Sequence, residues 1–125
     1  MKESQVHSKL CKYIATAYPD VLFSSDVGSG VNLTMGQARK FAGLRSDKGF
    51  PDLMVFEARH GYHGQFIELK ADNASPYLKD GSGLKKNEHT EHQAKMLEAL
   101  RIKGYKADFG VGLEHSTQLI DSYLG

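Results

Sequence analysis

An α/β fold is predicted for this chain of 125 residues. Three observations predict it. Apolar residues recur at helical spacing in two well-separated stretches; two short strand-like segments flank a glycine-bearing turn; and a further alternating segment follows the second helical stretch. The full order reads helix, strand, helix, two strands, helix, strand, helix.

Each element has its own signal. Val6, Leu10, Tyr13, Ile14 and Ala17 mark a helix over residues 4–17, which ends before Tyr18-Pro19-Asp20 because proline discourages continuation. Val21-Leu22-Phe23 reads as a short strand. Asp26-Val27-Gly28-Ser29-Gly30 reads as a flexible loop, and its single Gly-x-Gly is too common to indicate a nucleotide site. Thr34 and Gln37 have the spacing of a capping box, which predicts a short helix running to about Gly43. Residues 53–56 and 66–70 read as strands joined through Arg59-His60-Gly61-Tyr62-His63-Gly64.

Residues 72–88 are polar and contain Pro76, Gly81 and Gly83, so a mobile loop is expected there. Met96, Leu97 and Leu100 predict a helix over residues 91–103, stopped by Gly104. Ala107, Phe109 and Val111 alternate as the last strand, and residues 116–124 close the chain as a helix carrying Leu119, Ile120 and Tyr123.

Length and composition predict one domain over residues 1–125, large enough to bury a single core. The formal net charge of +1 announces no nucleic-acid partner, so any basic surface must be local. Cys11 is the single cysteine, which excludes an internal disulfide and suits a reducing compartment. The start of the chain lacks the apolar run of a secretory signal, and no stretch approaches a membrane span. A soluble, intracellular, cytoplasmic protein is expected.

Chemistry concentrates in two short segments. Glu68 and Lys70 are two apart in the apolar run Phe66-Ile67-Glu68-Leu69-Lys70, so strand alternation puts both on one face. Asp52 follows Gly49-Phe50-Pro51 at the start of the preceding strand, where proline removes no needed donor. A hairpin centred on Gly61 places Asp52 beside Lys70; one centred on His60 places it beside Glu68. Read without further context, the three are equally a solvated strand face and a turn. Glu3 continues the stripe of Val6 and Leu10, and Gln93 precedes Met96, Leu97 and Leu100 at helical spacing. Glu3 could instead favour a helix N-terminus or be frayed, and Gln93 could complete a capping box with Thr90.

On these residues the chain resembles the PD-(D/E)xK nuclease superfamily and, within it, the virus-type replication-repair nuclease (VRR-Nuc) family. The resemblance runs in order through Glu3, Gly49-Phe50-Pro51-Asp52-Leu53, Ile67-Glu68-Leu69-Lys70, and Gln93 with Gly104-Tyr105 after it, nearly the whole chain. It implies a restriction-endonuclease-like α/β core, a mixed central sheet flanked by helices with the active site at one edge. It also implies Mg2+- or Mn2+-dependent DNA cleavage, with Asp52, Glu68 and the Leu69 carbonyl as metal ligands and Glu3, Lys70 and Gln93 completing the catalytic set. Stand-alone members resemble dimeric Holliday-junction resolvases, so branched DNA and a homodimer are the expected partners.

Arg39, Lys40, Arg45, Lys48, Lys79, Lys85 and Lys86 are candidate phosphate contacts, or otherwise an ordinary solvated surface. The apolar residues Leu119, Ile120, Tyr123 and Leu124 are one candidate dimer interface, with core packing as the plainer role. Other readings remain: a general nicking nuclease or exonuclease, and a non-catalytic DNA-binding module of the same fold. His89 and His92 lack a third ligand at zinc spacing, and Cys11 lacks an electropositive neighbour motif.

Overall fold

The computed structural model describes residues 1–25, 34–44, 46 and 49–125. Its first helix, α1 (Glu3–Ala17), buries Val6, Leu10 and Ile14 completely, an i, i+4, i+8 stripe. The Lys2 main-chain N–H donates to the Gln5 side chain at 2.8 Å, satisfying a donor just ahead of the first turn. At the other end Tyr18 N–H returns to Ile14 O at 2.8 Å before Pro19 halts the helix.

Among the described residues, four strands form one mixed sheet in the order β1 (Phe23–Ser25), β2 (Leu53–Val55), β3 (Gln65–Lys70) and β4 (Lys106–Val111). β2 pairs antiparallel with both β1 and β3, and β4 joins β3 in parallel after the crossover helix α3 (Glu88–Ile102). A short helix, α2 (Met35–Ala42), lies between β1 and β2 in the chain, and α4 (Gly112–Leu124) closes it. This is the predicted order of elements.

Register decides where the chemistry goes. Leu53 pairs with Ile67, Met54 with Phe66 and Val55 with Gln65, so the hairpin is centred on His60. His60 (φ 53°) and Gly61 (φ 84°) both take positive φ, the requirement of a type I′ turn. His60 tolerates it because its Nε2 sits 3.0 Å from Tyr123 O and its ring meets the Tyr123 ring edge-on.

Alternation then sorts β3 into two faces. Ile67 and Leu69 join Leu53, Val55 and the buried residues of α1 and α4 in the main core. Phe66 faces the other way, onto a smaller cluster of Leu97, Leu100, Ala107 and Phe109 beneath α3. Glu68 and Lys70 share the Phe66 face by period two.

Several expected boundaries move. β1 starts at Phe23 rather than Val21, because Val21 N–H is bound to Tyr18 O in the turn after Pro19. Leu22 is left exposed. α3 begins at Glu88, capped by Asn87, whose side chain accepts from Thr90 N–H at 2.8 Å; Gln93 is therefore not part of a Thr90 capping box. α4 begins directly after β4, with Val111 N–H 3.0 Å from His115 Nδ1, four residues earlier than expected. The Thr34–Gln37 capping box forms, with reciprocal bonds of 3.0 and 3.1 Å.

Two readings are narrowed. Within the polar stretch 72–88, residues 76–85 are tied by their own hydrogen bonds into a small hairpin through an antiparallel bridge between Tyr77 and Leu84. The closing helix packs its apolar residues inward: Ile120, Tyr123 and Leu124 are buried and Leu119 lies against the same core, which removes them as a dimer surface. Among the described residues no helix is long and apolar enough to cross a membrane.

Candidate active site

Continuing the β2–β3 register one step sets Asp52 opposite Glu68. Asp52 Oδ2 accepts from the Leu69 main-chain N–H at 2.9 Å, so the aspartate takes over the ladder where β2 has ended. Pro51 is buried beneath it and supplies no donor of its own. Because a strand residue's N–H and C=O leave on the same side, the Leu69 carbonyl projects toward Asp52 as well.

Glu68 is only 8% exposed, an expensive place for a carboxylate. Burial and the Asp52 charge push its pKa up to about 8, against the opposing pull of Lys70; a hydrogen bond with Asp52 and the more distant Glu3 charge raise it further. Glu68 Oε1 accepts from Gln93 Nε2 at 2.6 Å, a contact between the third strand and the crossover helix. The same Gln93 nitrogen lies 3.1 Å from His89 Nε2, one turn earlier on α3. With both amide hydrogens so directed, Gln93 Oε1 is left buried without a partner among the described residues.

Glu3 stands at the start of α1 on the same side. Its pKa is raised by partial burial first and by Asp52 second, while Lys70, His7 and His89 act in the opposite sense. The structure therefore brings together Glu3, Asp52, Glu68, Lys70 and Gln93, five residues spread over ninety positions of sequence. His7 is an addition that the motif reading passed over, and His89, weighed there only as a zinc ligand with His92, is a second. Each is four residues from a chosen residue, His7 after Glu3 and His89 before Gln93, and that i, i+4 spacing was the available signal.

The basic candidates are more scattered. Arg39 and Lys40 are exposed on the last turn of α2, and Lys79 and Lys86 are exposed and Lys85 half-buried on the hairpin that leads into α3. Arg45 and Lys48 lie outside the described residues, as does the glycine loop 26–30. Cys11 is half-buried with its thiol pKa raised by that burial, which suits packing and not a nucleophile.

The donor set suits a hard divalent cation only in part on its own. Among the described residues no three His, Cys, Asp or Glu side chains converge closely enough to hold a metal. Asp52, Glu68 and the Leu69 carbonyl are oxygen donors, the two carboxylates in mutual contact at a cost that a cation would relieve, and the orphaned Gln93 Oε1 is an unsatisfied acceptor beside them. That combination fits magnesium or manganese with water and phosphate filling the remaining positions.

The mixed sheet and its crossover helix define an α/β core, with the Asp52–Glu68 pair across β2 and β3. A solved structure described as a VRR_NUC domain protein shares this fold, with a TM-score of 0.69 over 99% of this chain and 88% of its own, at 22% sequence identity. No protein-family model matches the sequence, and neither does any curated protein. The likeness is thus one of fold, and it agrees with the family that the ordered motifs resemble.

Proposed function

We propose that this chain is a VRR-Nuc-type, magnesium- or manganese-dependent DNA endonuclease that acts as a homodimer on branched DNA such as four-way junctions. The observation that carries it is the buried Glu68, pressed against Asp52 and gripped by Gln93, on a fold shared with a VRR_NUC domain protein. A protein does not ordinarily bury a carboxylate next to another without a use for the charge.

Asp52, Glu68 and the Leu69 carbonyl would hold the cation, which supplies Lewis-acid stabilisation of the phosphate and acidifies a water. Lys70, on the same face as Glu68, places a positive charge where negative charge grows on the phosphate in the transition state. Gln93 fixes Glu68 in one rotamer and offers Oε1 as an acceptor that can orient a water for in-line attack. Glu3 and His7 approach the same cluster from α1.

A single cluster cuts one strand, and symmetric resolution of a junction needs two, which a two-fold dimer provides. Cleavage of labelled linear, flap, fork and four-way DNA with and without magnesium tests the reading. Metal-dependent paired nicks on four-way DNA support it in full. No cleavage of any form with either metal overturns it. A monomer by light scattering, both free and on a junction, removes the resolvase part and leaves a single-strand nicking enzyme.

A further inference from the structure

The hairpin over residues 76–85 does more than connect β3 to α3. Leu78 N–H donates to Gly83 O at 2.8 Å, Lys85 N–H to Pro76 O at 2.8 Å and Gly81 N–H to Leu78 O at 3.0 Å, while Asp80 accepts from Ser82 N–H at 2.9 Å. A segment so polar that it reads as open loop is instead held in one shape. Its base is anchored by buried Pro76 and by Leu84, which packs on the small cluster beneath α3.

What it holds outward is apolar. Tyr77 is 46% exposed and Leu78 40%, and the Tyr77 hydroxyl has no partner among the described residues. Lys79 and Lys85 lie within the hairpin and Lys86 directly follows it, and the three form no ion pair among the described residues; Asp80 is the one acidic side chain within the hairpin, turned onto its own loop. The position is fixed relative to the carboxylates. The Tyr77 ring stands edge-to-face on Phe109 at 6.1 Å, and Phe109 is the direct β4 neighbour of Glu68. The finger therefore rises one strand away from the acidic pair.

We propose that this finger is a binding site for an unpaired nucleotide adjoining the cleaved phosphate, with Tyr77 stacking on the base, Leu78 packing beside it and the three lysines holding the backbone. An exposed aromatic side chain on a segment carrying unpaired cations is the chemistry that recognises single-stranded nucleic acid, because stacking needs a base already out of its helix. A continuous duplex would present phosphates to the lysines and nothing to the ring. The proposal deepens the nuclease reading by giving its substrate a splayed or single-stranded element, and it rests on that reading for the location of the phosphate.

Binding measured in EDTA separates the two ideas, since it requires no cleavage. Fluorescence anisotropy with a single-stranded 20-nucleotide DNA (roughly the span of an ordinary site plus flanks) and with a blunt duplex of the same sequence is compared for wild type, Tyr77→Phe and Tyr77→Ala. Tyr77→Ala is expected to weaken single-strand binding by roughly tenfold, the worth of one stacked base, with Tyr77→Phe near wild type and duplex binding unchanged. Equal losses on both DNAs, or none, overturn the proposal. Should Tyr77→Ala fail to fold, wild-type protein is photo-crosslinked to 5-iodouracil-substituted single strands: adducts mapped to Tyr77 support the site, and adducts only elsewhere overturn it. Metal-dependent cleavage by wild type is scored separately, so a nuclease whose finger does not stack is told apart from a finger on a protein that does not cut.

Discussion

The two faces of β3 are built to opposite rules. On one, Ile67 and Leu69 are completely buried among Val6, Leu10, Ile14, Leu53 and Ile120. On the other, Glu68 is almost as deeply buried, yet it meets Asp52, Gln93 and the field of Lys70. Neighbouring residues of one strand thus contribute to stability with opposite sign. The apolar face holds the sheet to α1 and α4, and the energy it supplies lets the polar face keep an uncomfortable carboxylate in place.

The largest effects should come from exchanging these roles. Leu69→Ala removes a fully buried side chain from the packed face, and the loss of transfer energy plus the cavity should cost about 2–5 kcal/mol of unfolding free energy. Glu68→Gln should do the reverse: the protein becomes no less stable, while on the proposed mechanism cleavage falls by at least about a hundredfold because the charge that would hold the cation is gone. Urea unfolding and single-turnover cleavage on both variants measure the contrast. Leu69→Ala that stays fully stable, or Glu68→Gln that cuts normally, would break it.

A second prediction sharpens the comparison through pH. The folded-state pKa of Glu68 lies above its ordinary value of 4.5, at about 8, so the folded protein holds a proton there that the unfolded chain has released. The stability this gives is complete below pH 4.5 and is lost as pH rises toward 8. Glu68→Gln has no such loss. Its stability relative to wild type should grow between pH 5 and pH 8 and then level off, by on the order of 2 kcal/mol once the shift is shared with Asp52 and Glu3. The amide can still accept from Gln93, so the local contact survives. Urea midpoints at pH 5, 7 and 9 test it, and a gap that stays constant across that range would mean that Glu68 is charged throughout.

Much of this was legible in the chain itself. The order of all eight elements was readable, since helical stripes such as Val6-Leu10-Ile14 and the alternation of residues 66–70 are local patterns. The five candidate site residues came from motif order, and the structure brings all five together. What was not legible depended on partners distant in sequence. Nothing near Leu119 or Ile120 says that they meet α1 and the sheet, so their apolar character left an interface open beside the plainer reading of core packing. The finger was hidden by composition, because glycine and lysine mask a hairpin whose anchor, Phe109, lies about thirty residues beyond Tyr77. His7 escaped because a lone histidine on a helix carries no motif, and His89 because, beside His92, it was weighed only as a zinc ligand.

His89 gives the smallest expected effect and the finest test of the polar face. It is exposed, and its part is to sit 3.1 Å from Gln93 Nε2, while the stronger bond of that nitrogen runs 2.6 Å to Glu68. Water can replace an exposed imbidazole nitrogen, so His89→Ala should change stability by no more than about 0.5 kcal/mol. Gln93 then keeps its bond to Glu68 but loses one of two restraints, and cleavage should slow only a few-fold, with DNA affinity unchanged. Gln93→Leu provides the upper bound, because it removes the donor to a buried carboxylate and should cost about 1–3 kcal/mol at pH 9. If His89→Ala instead cuts the rate as severely as Gln93→Leu, His89 contacts the substrate directly and the polar face extends one helical turn further toward the finger than these contacts show.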